Sequence, residues 1–184
     1  MEPSIKDPIT YNDNNVNATL NVLVAARDAK VKKVVYASSS SVYGDQEVMP
    51  LTEDMIAKPT SPYGLQKYIG EQYCRVFSYL YKLPTVCLRY FNVYGPRMVN
   101  EGAYASVIGI FSQQRKNGQP MTITGDGTHL RTYTFVGDIV KANILASQSE
   151  IADGRAINTG QSTEYSVNEI AQMFGGPTTN IAPR

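Results

Sequence analysis

The sequence has no tryptophan, one histidine and two cysteines, and its 17 Lys and Arg nearly balance its 16 Asp and Glu. Each shortage excludes a class of function. The lone His129 has no second ligand candidate at metal spacing, so it is expected as an exposed turn residue and no metal centre is expected. Cys74 lies in an amphipathic segment and Cys87 in an apolar run, without CxxC spacing; both read as buried free thiols and imply a reducing, cytoplasmic setting. A net charge of +1 with interspersed signs gives no basic field for nucleic acid. No apolar run reaches the roughly 18 residues of a membrane span. Met1-Glu2-Pro3-Ser4 is not the basic, then apolar, opening of a secretory leader, so neither membrane nor export is expected.

What remains is a chain of 184 residues, 42% hydrophobic, long enough to bury a core. Apolar residues Ala18, Leu20, Val22, Leu23 and Ala26 recur at helical spacing, which predicts a helix over 17–30 with Asn15 or Asn17 as cap. Val34-Val35-Tyr36-Ala37 is short and largely β-branched, as a buried parallel strand is, and four serines follow its end. Ser61-Pro62 opens a helix over 63–81 that Leu83-Pro84 stops, and Thr85 to Tyr90 is a second buried strand. Beyond the Gly95-Pro96 loop, helices are expected near 105–116, 138–147 and 167–173. Strands are expected at 121–124, 131–136 and 156–159. There is no internal repeat and no composition shift that marks a linker. Strand and helix in alternation predict an α/β fold with a parallel sheet.

In open α/β sheets ligands bind beyond the carboxyl ends of the strands, where Ser38 to Ser41 and Asn92 fall. Tyr63 and Lys67, four apart at the start of the following helix, share one face. A phenol with a pKa of about 10 is a poor base at neutral pH, and a nearby ammonium favours the phenolate, so Lys67 is expected to lower the Tyr63 pKa. A serine hydroxyl from the strand end completes a Ser, Tyr, Lys arrangement suited to hydride transfer with NAD. Tyrosine and lysine four apart are common on solvated helix faces, so the pair alone decides nothing.

The context is more specific. VVYASSSSVYG, SPYGLQK, LRYFNVYGPR and GDGTHLRTYTFVGDI, in this order and spacing, resemble the extended short-chain dehydrogenases that act on nucleotide sugars. The resemblance covers nearly the whole chain. It implies a partial Rossmann-like parallel sheet lacking its first strands, in residues 1–95, and a small substrate-binding lobe with returning Rossmann elements in 96–184. It implies Ser39, Tyr63 and Lys67 as catalytic residues, with Tyr63 taking the proton of the sugar 4-hydroxyl and Lys67 also holding the nicotinamide ribose. Ser41 matches a second hydroxyl at the sugar, and Tyr90 and Phe91 line the sugar and nicotinamide side. Val93 contacts the nicotinamide region, Asn92 the nucleotide diphosphate, and Arg131 and Arg184 the nucleotide phosphates. Ser38 and Ser40 are left with structural roles.

Dehydratases of the family carry Thr-Asp-Glu where this chain has Ser39-Ser40-Ser41, and related decarboxylases keep the last Glu. Without a carboxylate there, the resemblance implies oxidation and re-reduction at one carbon, a UDP-sugar 4-epimerase. Two departures stand near the phosphate site: Thr132 replaces an Asp, and Gly137 replaces the first of two Asp residues, with Asp138 retained. The GxxGxxG turn that binds the dinucleotide pyrophosphate is absent from these 184 residues. The sequence therefore reads as a truncated member. A sheet cut in this way exposes an edge and apolar faces, so a homodimer or higher oligomer is expected. The alternative function is a self-associating fragment without catalysis.

Overall fold

The computed structural model describes residues 2–100, 102 and 105–182. In chain order its elements are α1 (Glu2–Lys6), α2 (Pro8–Asn12), a π turn (Asp13–Asn17), α3 (Ala18–Asp28), β1 (Val34–Ser39), a 3-10 turn (Ser40–Val42) and α4 (Pro62–Tyr81). There follow β2 (Thr85–Tyr90), β3 (Val93–Tyr94), α5 (Val107–Lys116), β4 (Met121–Thr124), β5 (Leu130–Thr132), β6 (Thr134–Phe135) and α6 (Val136–Gln148). The last are β7 (Asp153–Thr159), β8 (Glu164–Ser166), α7 (Val167–Phe174) and β9 (Thr178–Ile181). They form two compact units, one of Met1–Phe91 with Ile139–Thr159, the other of Asn92–Asp138 with Gly160–Arg184.

The first unit is built on a parallel sheet ordered β1-β2-β7, as the alternation of strand and helix predicts. β2 is buried along Thr85 to Arg89 because both its faces are covered. Its two-residue period divides the core. Cys87 joins Tyr36, Leu23, Ala26, Cys74, Phe77 and Leu83 on the side of α3 and α4, while Val86 and Leu88 pack with Ala146 of α6.

α4 carries the strongest local signals. The Ser61 hydroxyl accepts from the Gly64 amide at 3.1 Å, and Pro62 stands at the first helical position. Lys82 ends the helix in the left-handed region, φ 55°. The entry to α3 differs from expectation. Asn17 makes no capping bond, since the π turn runs into α3 without a break and supplies the carbonyls a cap would replace. Asn15 instead donates to the Tyr11 carbonyl and, at 3.1 Å, to Gln66 of α4.

In the second unit β3 pairs β6 and β4 pairs β9 in parallel, while β5 and β8 are antiparallel. Phe111, Met121, Ile123, Tyr133, Ile170 and Ala171 form its core. The single strand expected over 131–136 is two strands. The chain changes partner at the buried Tyr133, β5 pairing with β8 and β6 with β3. α7 begins with a reciprocal Ser166 and Glu169 capping box. No described helix is long and apolar enough to cross a membrane.

α4 lies on β1 as closely as a glycine permits: a Cβ at Gly70 would sit 2.1 Å from Tyr36 Oη. Alanine gains about 1 kcal/mol of helix propensity there, but overpacking against a buried, rigid ring costs about 1–3 kcal/mol. Gly70→Ala should therefore lower the thermal unfolding midpoint, and adding Tyr36→Phe should recover part of the loss.

Candidate active site

The serine run divides by strand period and turn. Ser38 is buried and its hydroxyl donates to Glu71. Ser39, the next residue, faces the other way, still extended at φ −149° and ψ 148°, and the chain then turns. Its Oγ accepts from the Ser41 amide at 3.2 Å and from the Ser41 hydroxyl at 2.9 Å. The first turn of α4 rests on this loop, because a Cβ at Gly64 would lie 2.6 Å from the Ser41 carbonyl oxygen. Tyr63 is thereby brought to the strand end. Its amide donates to the buried Ser4 hydroxyl at 3.2 Å, and its phenol lies close enough to Ser39 for that hydroxyl to favour the phenolate. Lys67, one turn later, donates to the Ala37 carbonyl at 3.0 Å, and its ammonium lies 5.4 Å from the Tyr36 ring centre and 5.8 Å from that of Tyr63. Ser39, Tyr63 and Lys67 thus meet at the carboxyl end of β1.

The electrostatics differ from the sequence reading. Burial raises the Tyr63 pKa above the ordinary phenol value, and the nearby Ser39 hydroxyl opposes it only in part. Burial also lowers the Lys67 pKa. The expected lowering of Tyr63 by Lys67 does not prevail over burial. The ammonium stands over the ring and is bonded to the Ala37 carbonyl, while desolvation favours the neutral form of both groups.

The other expected residues are placed as follows. The Tyr90 hydroxyl donates to Asn143 at 2.9 Å, on the α6 side of the sheet, away from α4. Phe91 stacks obliquely on Tyr43 with ring centres 6.4 Å apart. In the second unit, the exposed Asn92 (φ 28°) donates its amide to the Thr132 carbonyl at 2.9 Å, and Val93 pairs with Thr134. Arg131 is exposed, and its Nη1 donates to the Leu130 carbonyl at 3.0 Å. His129 is exposed; Cys74 and Cys87 are buried free thiols. Arg184 lies outside the described residues.

Sequence reasoning missed Ser4, Gly64, Glu71 and Arg89. Two of these left a signal. Glu71 continues the Tyr63 and Lys67 stripe at a further spacing of four, and Arg89 is a charge within an apolar run. Ser4 and Gly64 act by filling or vacating small spaces, which no spacing reveals.

Ser39, Tyr63 and Lys67 at the end of a strand in a Rossmann-like parallel sheet lie where open α/β sheets bind their ligands. Residues 2–160 match the model of the NAD dependent epimerase/dehydratase family, and the chain belongs to that family. It is 38% identical over 177 residues to a UDP-glucose 4-epimerase of Mycolicibacterium smegmatis, covering 96% of this chain and 56% of that protein. The UDP-N-acetylglucosamine 4-epimerase of Methanobrevibacter ruminantium, solved with UDP-N-acetylmuramic acid, superposes with a TM-score of 0.95 at 35% identity, over 100% of this chain and 60% of that one. The Thermus thermophilus UDP-glucose 4-epimerase, solved with NAD, gives a TM-score of 0.87 at 31% identity, over 98% and 61%. The chain thus spans under two thirds of the length of these relatives.

The raised Tyr63 pKa has a consequence for stability. A group whose pKa folding raises contributes fully below its unfolded value, near 10 for a phenol, and loses the contribution as pH climbs through the folded value. The unfolding free energy should fall above about pH 10, and less steeply in Tyr63→Phe. Parallel alkaline limbs in the two proteins would show that the Tyr63 phenol is not desolvated.

Proposed function

We propose that this chain carries the hydride-transfer centre of an NAD-dependent 4-epimerase of a nucleotide sugar, UDP being the favoured nucleotide. One observation carries the reading: the Tyr63 and Ser39 hydroxyls meet beside Lys67 in a loop whose next positions, 40 and 41, are serines. Elimination or decarboxylation needs an acid–base group there, and a serine hydroxyl does not supply one at neutral pH.

The residues fit the nicotinamide-ribose end of the cofactor. The Lys67 ammonium has three donors, of which one is bonded to Ala37 among the described residues, so donors remain for ribose hydroxyls. NAD, when bound, supplies the acceptor and the returned donor of a hydride. The chain's own groups handle the proton. Tyr63 accepts it from the sugar 4-hydroxyl, Ser39 holds that hydroxyl in line, and Ser41 orients Ser39 through their 2.9 Å hydrogen bond. With the Tyr63 pKa raised in the protein alone, the phenol needs a further positive charge near it before it serves as a base at neutral pH. In the second unit Arg131 has donors to spare for a diphosphate, and the Asn92 amide secures the strand that carries it. The nucleotide-sugar and NAD complexes of the two solved relatives support these two classes of ligand.

Calorimetric titration of the purified chain with NAD and with UDP-sugars, followed by an epimerisation assay, tests the reading. Binding of both with turnover that Tyr63→Phe reduces by about 10²- to 10⁴-fold is the expected result. Sugar-nucleotide binding without NAD would assign a substrate-binding module, and binding of neither would favour the non-catalytic fragment.

A further inference from the structure

We propose that Glu71 and Arg89, buried between α4 and the sheet, are positioning residues for Tyr63, fixing the height and rotation of α4 at which the phenol meets Ser39. Glu71 is 3% and Arg89 5% exposed. Arg89 Nε donates to Glu71 Oε1 at 2.9 Å and Nη2 to Oε2 at 2.7 Å, a two-point grip that a single contact would not give. Nη1 has no acceptor among the described residues, so the guanidinium depends on that grip and on the Tyr43 ring, 4.6 Å from its carbon.

The placement of these groups ties them to the site. Ser38, Arg89 and Asn158 are neighbours in one row across β1, β2 and β7. Glu71 bridges the first two, accepting from the Ser38 hydroxyl and from Arg89. Tyr43, just past the serine turn, covers Arg89 and donates its hydroxyl to Asn158 at 2.6 Å. This chain of contacts joins all three strands, the serine loop and α4. Tyr63, Lys67 and Glu71 lie on one stripe of α4 at successive spacings of four, and Ser38 directly precedes Ser39. A turn or slide of α4 that parts Tyr63 from Ser39 must therefore break a directional, charged contact. An apolar pair of the same volume would hold the helix down without fixing its register.

The inference rests on the reading of Tyr63 as the reacting group, but its test needs neither NAD nor sugar, so an absence of epimerase activity leaves it open to decision. Tyrosine labelled with carbon-13 at the ring Cζ reports each phenol's titration by NMR, with Tyr63 assigned from Tyr63→Phe. Tyr36, Tyr43 and Cys87 interact with the pair, and Lys67, between Glu71 and Tyr63 on the α4 stripe, faces the Tyr63 ring itself. In Glu71→Gln the Tyr63 midpoint should fall toward the free phenol value by about half a pH unit or more, as the loosened helix admits water, and in Ser38→Ala by less. The charge-free pair Glu71→Gln with Arg89→Leu should regain thermal stability while its Tyr63 midpoint stays displaced, which a merely structural role would not produce. Should Glu71→Gln not fold, Ser38→Ala and the double variant decide. An unchanged Tyr63 midpoint in the folded variants overturns the proposal.

Discussion

How near α4 can come to β1 determines everything this chain can do at the end of that strand. A helix on a sheet is normally held off by its own side chains, and a parallel strand carries no turn that could reach out to compensate. Two glycines remove the obstacle. Gly64 lets the first turn of α4 sit on the Ser41 carbonyl, and Gly70 lets the third turn sit on the Tyr36 phenol. A methyl at either would need space within 2.6 Å of a carbonyl oxygen or within 2.1 Å of a ring hydroxyl. That closeness puts the Tyr63 hydroxyl within reach of Ser39. It also closes the Glu71 and Arg89 pair, in which loss of one partner strands a buried charge at a cost of about 3–5 kcal/mol.

Close approach has an electrostatic consequence. The burial that orients Tyr63 and Lys67 also removes the water that would stabilise their charges, so the phenol moves up and the ammonium down. On the proposed reading the protein alone therefore holds its base in the protonated state. Preorganisation and acidity oppose one another here, and position prevails: an aimed, neutral phenol can be ionised by a cation arriving with the ligand, whereas a solvated phenolate would not be aimed.

Much of this was legible in the residues. The Val34 and Thr85 runs, Ser61-Pro62, and Tyr63 with Lys67 placed the strands, the central helix and the reacting face, because local period and capping chemistry act over a few residues. What escaped depended on distant partners. Asn17 looks like a helix cap until the upstream turn is known to supply the carbonyls, and 131–136 looks like one strand until β3 and β8 compete for its two ends. The direction of the Tyr63 shift is not legible in the sequence, because spacing shows that Lys67 is near but not where its ammonium points, nor how much water burial removes.

The four consecutive serines show the same limit at single-residue scale. Chemically identical in the sequence, they part by geometry alone. Strand period turns Ser38 inward to Glu71 and Ser39 outward to Tyr63, and the 3-10 turn then brings the Ser41 hydroxyl back to Ser39. One side faces a buried charge pair and the other the proposed proton path, separated by a single peptide unit. β1 is paired to β2 from Val34 to Ser39, and on the proposed reading a displacement on the Glu71 side is passed along that unit. A buried network can in this way set the geometry of a reacting group that it never touches.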